Sequence, residues 1–248
     1  MLVNRNKPRY HLIYLIQELD KMKTINISPS DLAFLYLESP WGFYQKYNLG
    51  VKRPPLILPK IFTVIDTLMK CKFSDENFKS ICPNYPDAVL KDADQWVKSK
   101  PICNPKFPDI EIVLRGKIDG VLKYPDNTYS IIDFKTSDVK SDVAKKYLNQ
   151  LSCYTYALTY PNSSKDYSLP MNNKAGLFIY EPKNFDVDPE GMGNLSGNFS
   201  WHEYEVDLEK FESFIADEVI PLLAGNQPEP TDSDPCWVYL KQFEYTED

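Results

Sequence analysis

The sequence predicts an α/β fold, and three observations carry that expectation. A strand, turn, strand, helix unit spans 110–160, two further strand patterns follow at 175–180 and 201–206, and amphipathic helix patterns stand on either side at 61–72 and 208–223. With 248 residues, 43% of them hydrophobic and 14% aromatic, the chain has enough apolar material for one large packed unit. Nine glycines and twenty prolines imply defined chain reversals, and no Gly/Ser tract, repeat or charge block marks a boundary. The expectation is one domain over 1–248, with a helical part at 1–108, a core at 109–207, and a C-terminal helix and tail at 208–248.

Taken in order, residues 10–19 form a short apolar helix pattern, too short and too polar to span a membrane and with no small-residue cleavage site behind it. The protein is therefore expected to be cytoplasmic. Ser28-Pro29-Ser30-Asp31 is a helix start with Ser28 or Ser30 as its cap. It opens an aromatic segment, from Leu32 to Tyr47, that reads as core packing rather than a base-stacking surface. Residues 61–72 put Ile61, Ile65, Leu68 and Met69 at helical spacing around a single acid, Asp66, whose i+4 neighbour is Lys70. Residues 86–99 read as another helix and 101–108 as a loop.

The chain from Arg115 to Ala157 carries the chemistry. A first strand over 110–122 ends in Gly116-Lys117-Ile118-Asp119-Gly120, and the turn Tyr124-Pro125-Asp126-Asn127 reverses it into a second strand over 129–136, so the two form a hairpin. Side chains alternate along a strand, which places Ile131, Asp133 and Lys135 on one face and Ile132 and Phe134 on the other. Asp119 comes beside Asp133, and two carboxylates that close repel unless a proton or a cation lies between them. An all-oxygen pair suits Mg2+ or Mn2+, which keep several waters and accept few protein ligands. Such an ion suits a phosphodiester substrate: it lowers the pKa of a water and neutralises charge on the phosphorane oxygens, with Lys135 to orient that water or stabilise the charge. An ordinary Asp133–Lys135 ion pair and a turn-capping Asp119 would account for the same residues taken singly; their order within one unit favours chemistry. The helix over 138–160 stops at Pro161 and puts Gln150 and Tyr154 on one face with Lys146 a turn earlier, while Tyr147, Leu151 and Leu158 line an apolar stripe. Residues 184–200 read as a polar loop near the substrate entrance, and Cys236-Trp237-Val238-Tyr239 as a tail that packs on the body.

The runs Gly116 to Gly120 and Ile131-Ile132-Asp133-Phe134-Lys135-Thr136-Ser137, with Gln150 and Tyr154 after them, resemble the PD-(D/E)XK nuclease superfamily, specifically its RecB-like branch. The resemblance implies a restriction-endonuclease-like core with a mixed central β-sheet flanked by helices, and a metal held by Asp119, Asp133 and the Phe134 carbonyl. It also implies Lys135 as the catalytic lysine, and Gln150 and Tyr154 as groups that position DNA and the site; Lys146, a turn earlier on the same helix face, is a further candidate substrate contact. Asp66 matches a helix position where relatives place a further metal ligand; a solvent-facing pair with Lys70 is the other reading. Some RecB-like nucleases hold an iron–sulfur cluster on one early and three late cysteines. Here Glu38-Ser39-Pro40 stands in the early position and only Cys236 is late, so no cluster is expected.

Composition bears on partners. A net charge of −7 argues mildly against extensive sequence-independent nucleic-acid binding, although a local basic groove can coexist with an acidic surface. Lys140, Lys145 and Lys146 either supply part of such a groove or form a solvated helix face. Five cysteines, Cys71, Cys82, Cys103, Cys153 and Cys236, with no Cys-x-x-Cys pair, suit a reduced interior. The function expected is a metal-dependent deoxyribonuclease, exo or endo, acting on single strands or duplex ends in repair, recombination or mobile-element or phage DNA processing. The alternative is an inactive nucleic-acid-binding or assembly subunit of the same fold.

Overall fold

The computed structural model describes residues 22–51, 59–137 and 143–244. The expected helix at 10–19, Lys140 and the start of the helix at 138–160 lie outside them. Chain order runs β1 (Lys23–Ile27), α1 (Asp31–Leu35, π-helical, running on through Tyr36–Glu38), α2 (Pro40–Asn48), α3 (Lys60–Phe73), α4 (Phe78–Ile81), β2 (Val89–Lys91), β3 (Trp96–Lys98), β4 (Ile102–Cys103), β5 (Ile110–Lys117), β6 (Gly120–Lys123) and β7 (Tyr129–Thr136). Then come α5 (Val143–Thr159), β8 (Met171–Val187), β9 (Gly193–Glu205), α6 (Leu208–Phe214, running on through Ile215–Val219 and Ile220–Ala224) and α7 (Pro235–Glu244).

Two mixed sheets result, as in a restriction-endonuclease-like core. In the first, β5 is central, parallel to β1 on one side and antiparallel to β3 and β4 on the other. The second runs β2-β6-β7-β8-β9 and is antiparallel except for β7 with β8. Parallel neighbours need a crossover, and α5 supplies it. The alternation expected in β7 holds: Ile131 enters a core with Leu151 and Tyr156 of α5 and Phe211 of α6, while Ile132 and Phe134 pack with Met69 and Phe73 of α3. Helices thus cover both faces of the second sheet. Phe178, fully buried on the α3 side, touches the rings of Phe73, Phe78, Phe134 and Phe199, contacts worth roughly 0.5–1.5 kcal/mol each beyond their burial.

Four expectations are corrected. The strand read over 110–122 is two strands in two sheets, broken at Ile118 and Asp119, where the chain leaves the first sheet for the second. Only its last part, β6, forms the hairpin with β7. The helix read over 86–99 is β2 and β3, separated by a reversal in which Asp92 and Asp94 take positive φ of 48° and 64°. Its helical spacing of apolar residues is overridden by pairing with β5 and β6, and aspartate is among the few residues that tolerate the left-handed region. Within 101–108, Ile102–Cys103 is a short strand. The loop read over 184–200 is mostly the two arms of a long hairpin, β8 and β9, closed by Met192 N–H donating to Asp188 Oδ1 at 2.7 Å and by Gly191 at φ 85°. The tip of those arms is polar and Gly-containing, so its side chains give little strand signal.

The N-terminal aromatic segment packs as expected. Leu32, Leu35, Trp41 and Phe43 are buried, and Tyr36 meets Phe43 and Phe214 edge-on. Ser28 is the cap, its Oγ accepting from Asp31 N at 3.2 Å. Asp31 Oδ2 in turn accepts from Ser28 Oγ, Lys46 Nζ and Tyr47 Oη. Burial pushes the Asp31 carboxyl up, and the bonds from Lys46, Tyr47 and Ser28 outweigh it and hold it below its ordinary value of 3.8. Because the folded value lies below the unfolded one, the stability is complete above the unfolded pKa and is lost as pH falls through the folded one. Asp31→Asn is expected to cost about 1–2 kcal/mol at pH 7, read from urea midpoints, with the gap to the parent closing once pH drops below the Asp31 value.

At the other end α7 docks onto α2. Ser39 Oγ donates toward both carboxylate oxygens of buried Asp234 at 2.8 Å, and Asp234 Oδ1 accepts from Cys236 N and Trp237 N. Trp237 meets Trp41 edge-on, and Cys236 is buried. Gly42 makes this approach possible, since a Cβ there would fall 2.3 Å from Cys236 Sγ. The tail therefore packs on the body as expected.

Candidate active site

The break between β5 and β6 positions the first acid. The β6–β7 ladder ends at Gly120 opposite Ile132, and just beyond it Asp119 Oδ2 accepts from Phe134 N at 3.0 Å. A side chain thus takes over where the strand pairing stops, and it brings Asp119 alongside Asp133. Asp133, 2% exposed, rises from β7 on the face it shares with Lys135, whose Nζ touches Asp133 Oδ2. From α5, Gln150 reaches down so that Nε2 donates to Asp133 Oδ1 at 3.3 Å. The ring of Tyr147, one turn earlier, lies 5.1 Å from Lys135 Nζ.

Burial pushes the Asp133 carboxyl up, the Lys135 charge opposes this, and neighbouring Asp119 raises it again, leaving it well above the usual carboxylate range. Lys135 is pulled down by burial and held up more strongly by Asp133 and then Asp119, so it stands above the ordinary lysine value and is an ammonium.

A second lysine completes the cluster. Lys70, on α3, places Nζ 2.8 Å from Asp119 Oδ1, 3.0 Å from Asp66 Oδ2 and 3.2 Å from Asp94 Oδ1. Burial pulls this ammonium down, and Asp119 followed by Asp66 more than offsets it. Asp66 therefore does pair with its i+4 neighbour, and that neighbour is itself bound to Asp119. Burial pushes the Asp66 carboxyl up, with Lys70 opposing and Asp119 adding to it.

The structure brings Asp119, Asp133, the Phe134 backbone, Lys135 and Gln150 together, with Asp66 joined through Lys70. Tyr154 is buried, packs where a Gly116 side chain would stand, and adjoins Gln150; burial pushes its hydroxyl up to about 12, with the Gln150 hydrogen bond pulling the other way. It props Gln150 rather than facing solvent. Lys146 is ion-paired to Glu38 at 3.0 Å on the outside of α5. Sequence reading missed Lys70, Asp94 and Tyr147 as members of this group. Asp92-Ala93-Asp94 is the one available signal for Asp94, as a pair of residues suited to a reversal; Lys70 and Tyr147 carry none beyond helical spacing.

Whether the cluster suits a divalent ion is a question of its donors. Asp133 Oδ2 is met by the Lys135 ammonium, whereas Gln150 Oε1 is fully buried with no hydrogen-bond partner. Two adjacent carboxylates and an unpartnered buried amide oxygen form a hard, all-oxygen donor set, which suits Mg2+ or Mn2+. Among the described residues no three His, Cys, Asp or Glu side chains converge as a group that could hold a metal ion.

The family model described as PD-(D/E)XK nuclease superfamily matches residues 77–237, more than half of the chain. That span contains every residue of the cluster except Asp66 and Lys70. No curated protein matches the chain. A solved structure described as "Crystal structure of SSO0001" aligns with a TM-score of 0.41 at 13% identity, over 88% of this chain and 85% of that one.

Proposed function

The chain belongs to the PD-(D/E)XK nuclease superfamily, and from that premise we propose that it is a divalent-metal-dependent deoxyribonuclease of the RecB-like branch. The observation that carries the reading is the buried Asp133 carboxylate, ion-paired to Lys135 and crowded by a second carboxylate, Asp119, an arrangement that a bound cation relieves. Asp119 and Asp133, with the Phe134 carbonyl, are the residues to hold Mg2+ or Mn2+. When bound, the ion supplies Lewis-acid charge to the phosphodiester and its attacking water. Lys135 places a fixed positive charge where negative charge grows on the phosphorane, at no reorganisation cost because Asp133 and the Tyr147 ring already hold it. Gln150 fixes the Asp133 carboxylate through Oδ1 and keeps Oε1 free for water or substrate, and Tyr154 braces that amide. Lys70 neutralises Asp119 and Asp66 together and so keeps the acids assembled. No described helix is long and apolar enough to cross a membrane.

A second reading, an inactive nucleic-acid-binding module of the same fold, draws on Lys70, which balances Asp119 without any metal. The deciding experiment incubates the purified chain with end-labelled single-stranded and duplex DNA in Mg2+, Mn2+ or chelator, beside Asp119→Asn. Metal-dependent cutting that disappears in the variant is the expected result, and the product ladder separates end-directed from internal cleavage. DNA binding with no cutting in either metal would support the module instead.

A further inference from the structure

The outward face of the first sheet carries a group that the acid cluster does not use. Along β3 and β5 inward and outward positions alternate, so Val97 and Gly116 are buried while Trp96, Lys98, Arg115 and Lys117 point away from the core. Register sets Trp96 opposite Lys117 and Lys98 opposite Arg115. The four make one compact patch. Trp96 is 60% exposed, an unusual state for the largest apolar side chain, and its ring contributes little to the core. The Arg115 guanidinium lies 5.2 Å from the ring centroid, on the same outward face.

The patch is continuous with the acids. Lys117 Nζ lies 3.1 Å from Asp94 Oδ1, that oxygen lies 3.2 Å from Lys70 Nζ, and Lys70 Nζ lies 2.8 Å from Asp119 Oδ1. Three ion pairs in a row thus join the aromatic patch to the candidate metal-binding acids. On a chain of net charge −7, three cations around one exposed indole are a local reversal of sign, with Asp94 ion-paired to Lys117 and Asp166 near enough to Lys98 to feel its charge. A flat ring backed by a guanidinium, with two lysines flanking it, matches a base with its neighbouring phosphates. An acidic peptide would use the cations and leave the ring idle.

Resting on the deoxyribonuclease reading, we infer that Trp96 and Arg115 form a stacking platform for an unpaired base of single-stranded DNA, with Lys98 and Lys117 on the adjacent phosphates, so that the strand is led toward Asp119. Stacking on Trp96 requires a base free of its duplex neighbours, which makes the platform selective for single strands.

The test measures binding apart from cutting. In chelator, anisotropy of a labelled single-stranded oligonucleotide is titrated with the full chain, Trp96→Ala and Trp96→Phe. Affinity is expected to fall about tenfold in Trp96→Ala and to recover in part in Trp96→Phe, with duplex affinity unchanged. Because Trp96 is exposed, both variants keep the fold. Trp96→Ala binding the single strand within twofold of the parent would overturn the platform. Cutting in Mg2+ is scored separately: a chain that binds through Trp96 and cuts nothing sinks the nuclease reading and supports the platform, whereas Trp96→Ala cutting single strands at the parent rate sinks the platform alone.

Discussion

Lys135→Ala is expected to lower single-turnover cutting of an end-labelled oligonucleotide by about 10³-fold or more, the order of loss seen when a fixed donor to a developing oxyanion is removed. Two effects combine. The variant removes the ammonium held between Asp133 and the Tyr147 ring, and it also removes the charge that opposes burial of Asp133. The Asp133 carboxyl then rises further and holds its proton, which weakens it as a ligand. Lys135→Arg keeps the charge but replaces a compact ammonium with a planar fork, so an intermediate rate is expected. Cutting by Lys135→Ala within tenfold of the parent, in either Mg2+ or Mn2+, would show that Lys135 is only structural.

Asp133→Asn is expected to abolish the stabilisation of the chain by metal. A ligand that binds only the folded state at a hundredfold excess over its dissociation constant adds about 2.7 kcal/mol, which raises the melting temperature of a chain this size by roughly 5–10 °C. The parent should show that rise in Mn2+ and lose it in chelator. Asp133→Asn should show none and should cut at no measurable rate. Its metal-free melting temperature should also fall, because half-buried Lys135 loses its nearest counter-charge, a change of up to about 3 kcal/mol. A metal-induced rise in Asp133→Asn equal to that of the parent would place the ion elsewhere.

What the sequence made legible follows from the range of each interaction. The face shared by Asp133 and Lys135 needs only the two-residue period of a strand, and the face shared by Gln150 and Tyr154 only the turn of a helix. Both are local and both hold in the structure. The break at Ile118 and Asp119 is not local: it exists because β5 and β6 join different sheets, and nothing in the apolar run from Ile110 to Leu122 records which neighbour each half will take. Lys70 illustrates the same limit. Its pair with Asp66 is four residues long and was legible, whereas its pair with Asp119 spans 49 residues and needed the fold. The arms of the β8–β9 hairpin escaped because their pairing lies in the backbone, and Phe185, Val187 and Leu195 stand exposed among polar neighbours.

The bond from Ser39 to Asp234 joins positions 195 residues apart, with both candidate metal-binding acids in the interval. Contacts of such separation form late, because the intervening chain must be compact before closure is favourable. The β6–β7 hairpin, by contrast, closes across a turn of a few residues. Assembly is therefore expected to run from the acids outward, Asp119 and Asp133 meeting while the chain ends are still apart and the docking of α7 onto α2 clasping a centre already formed.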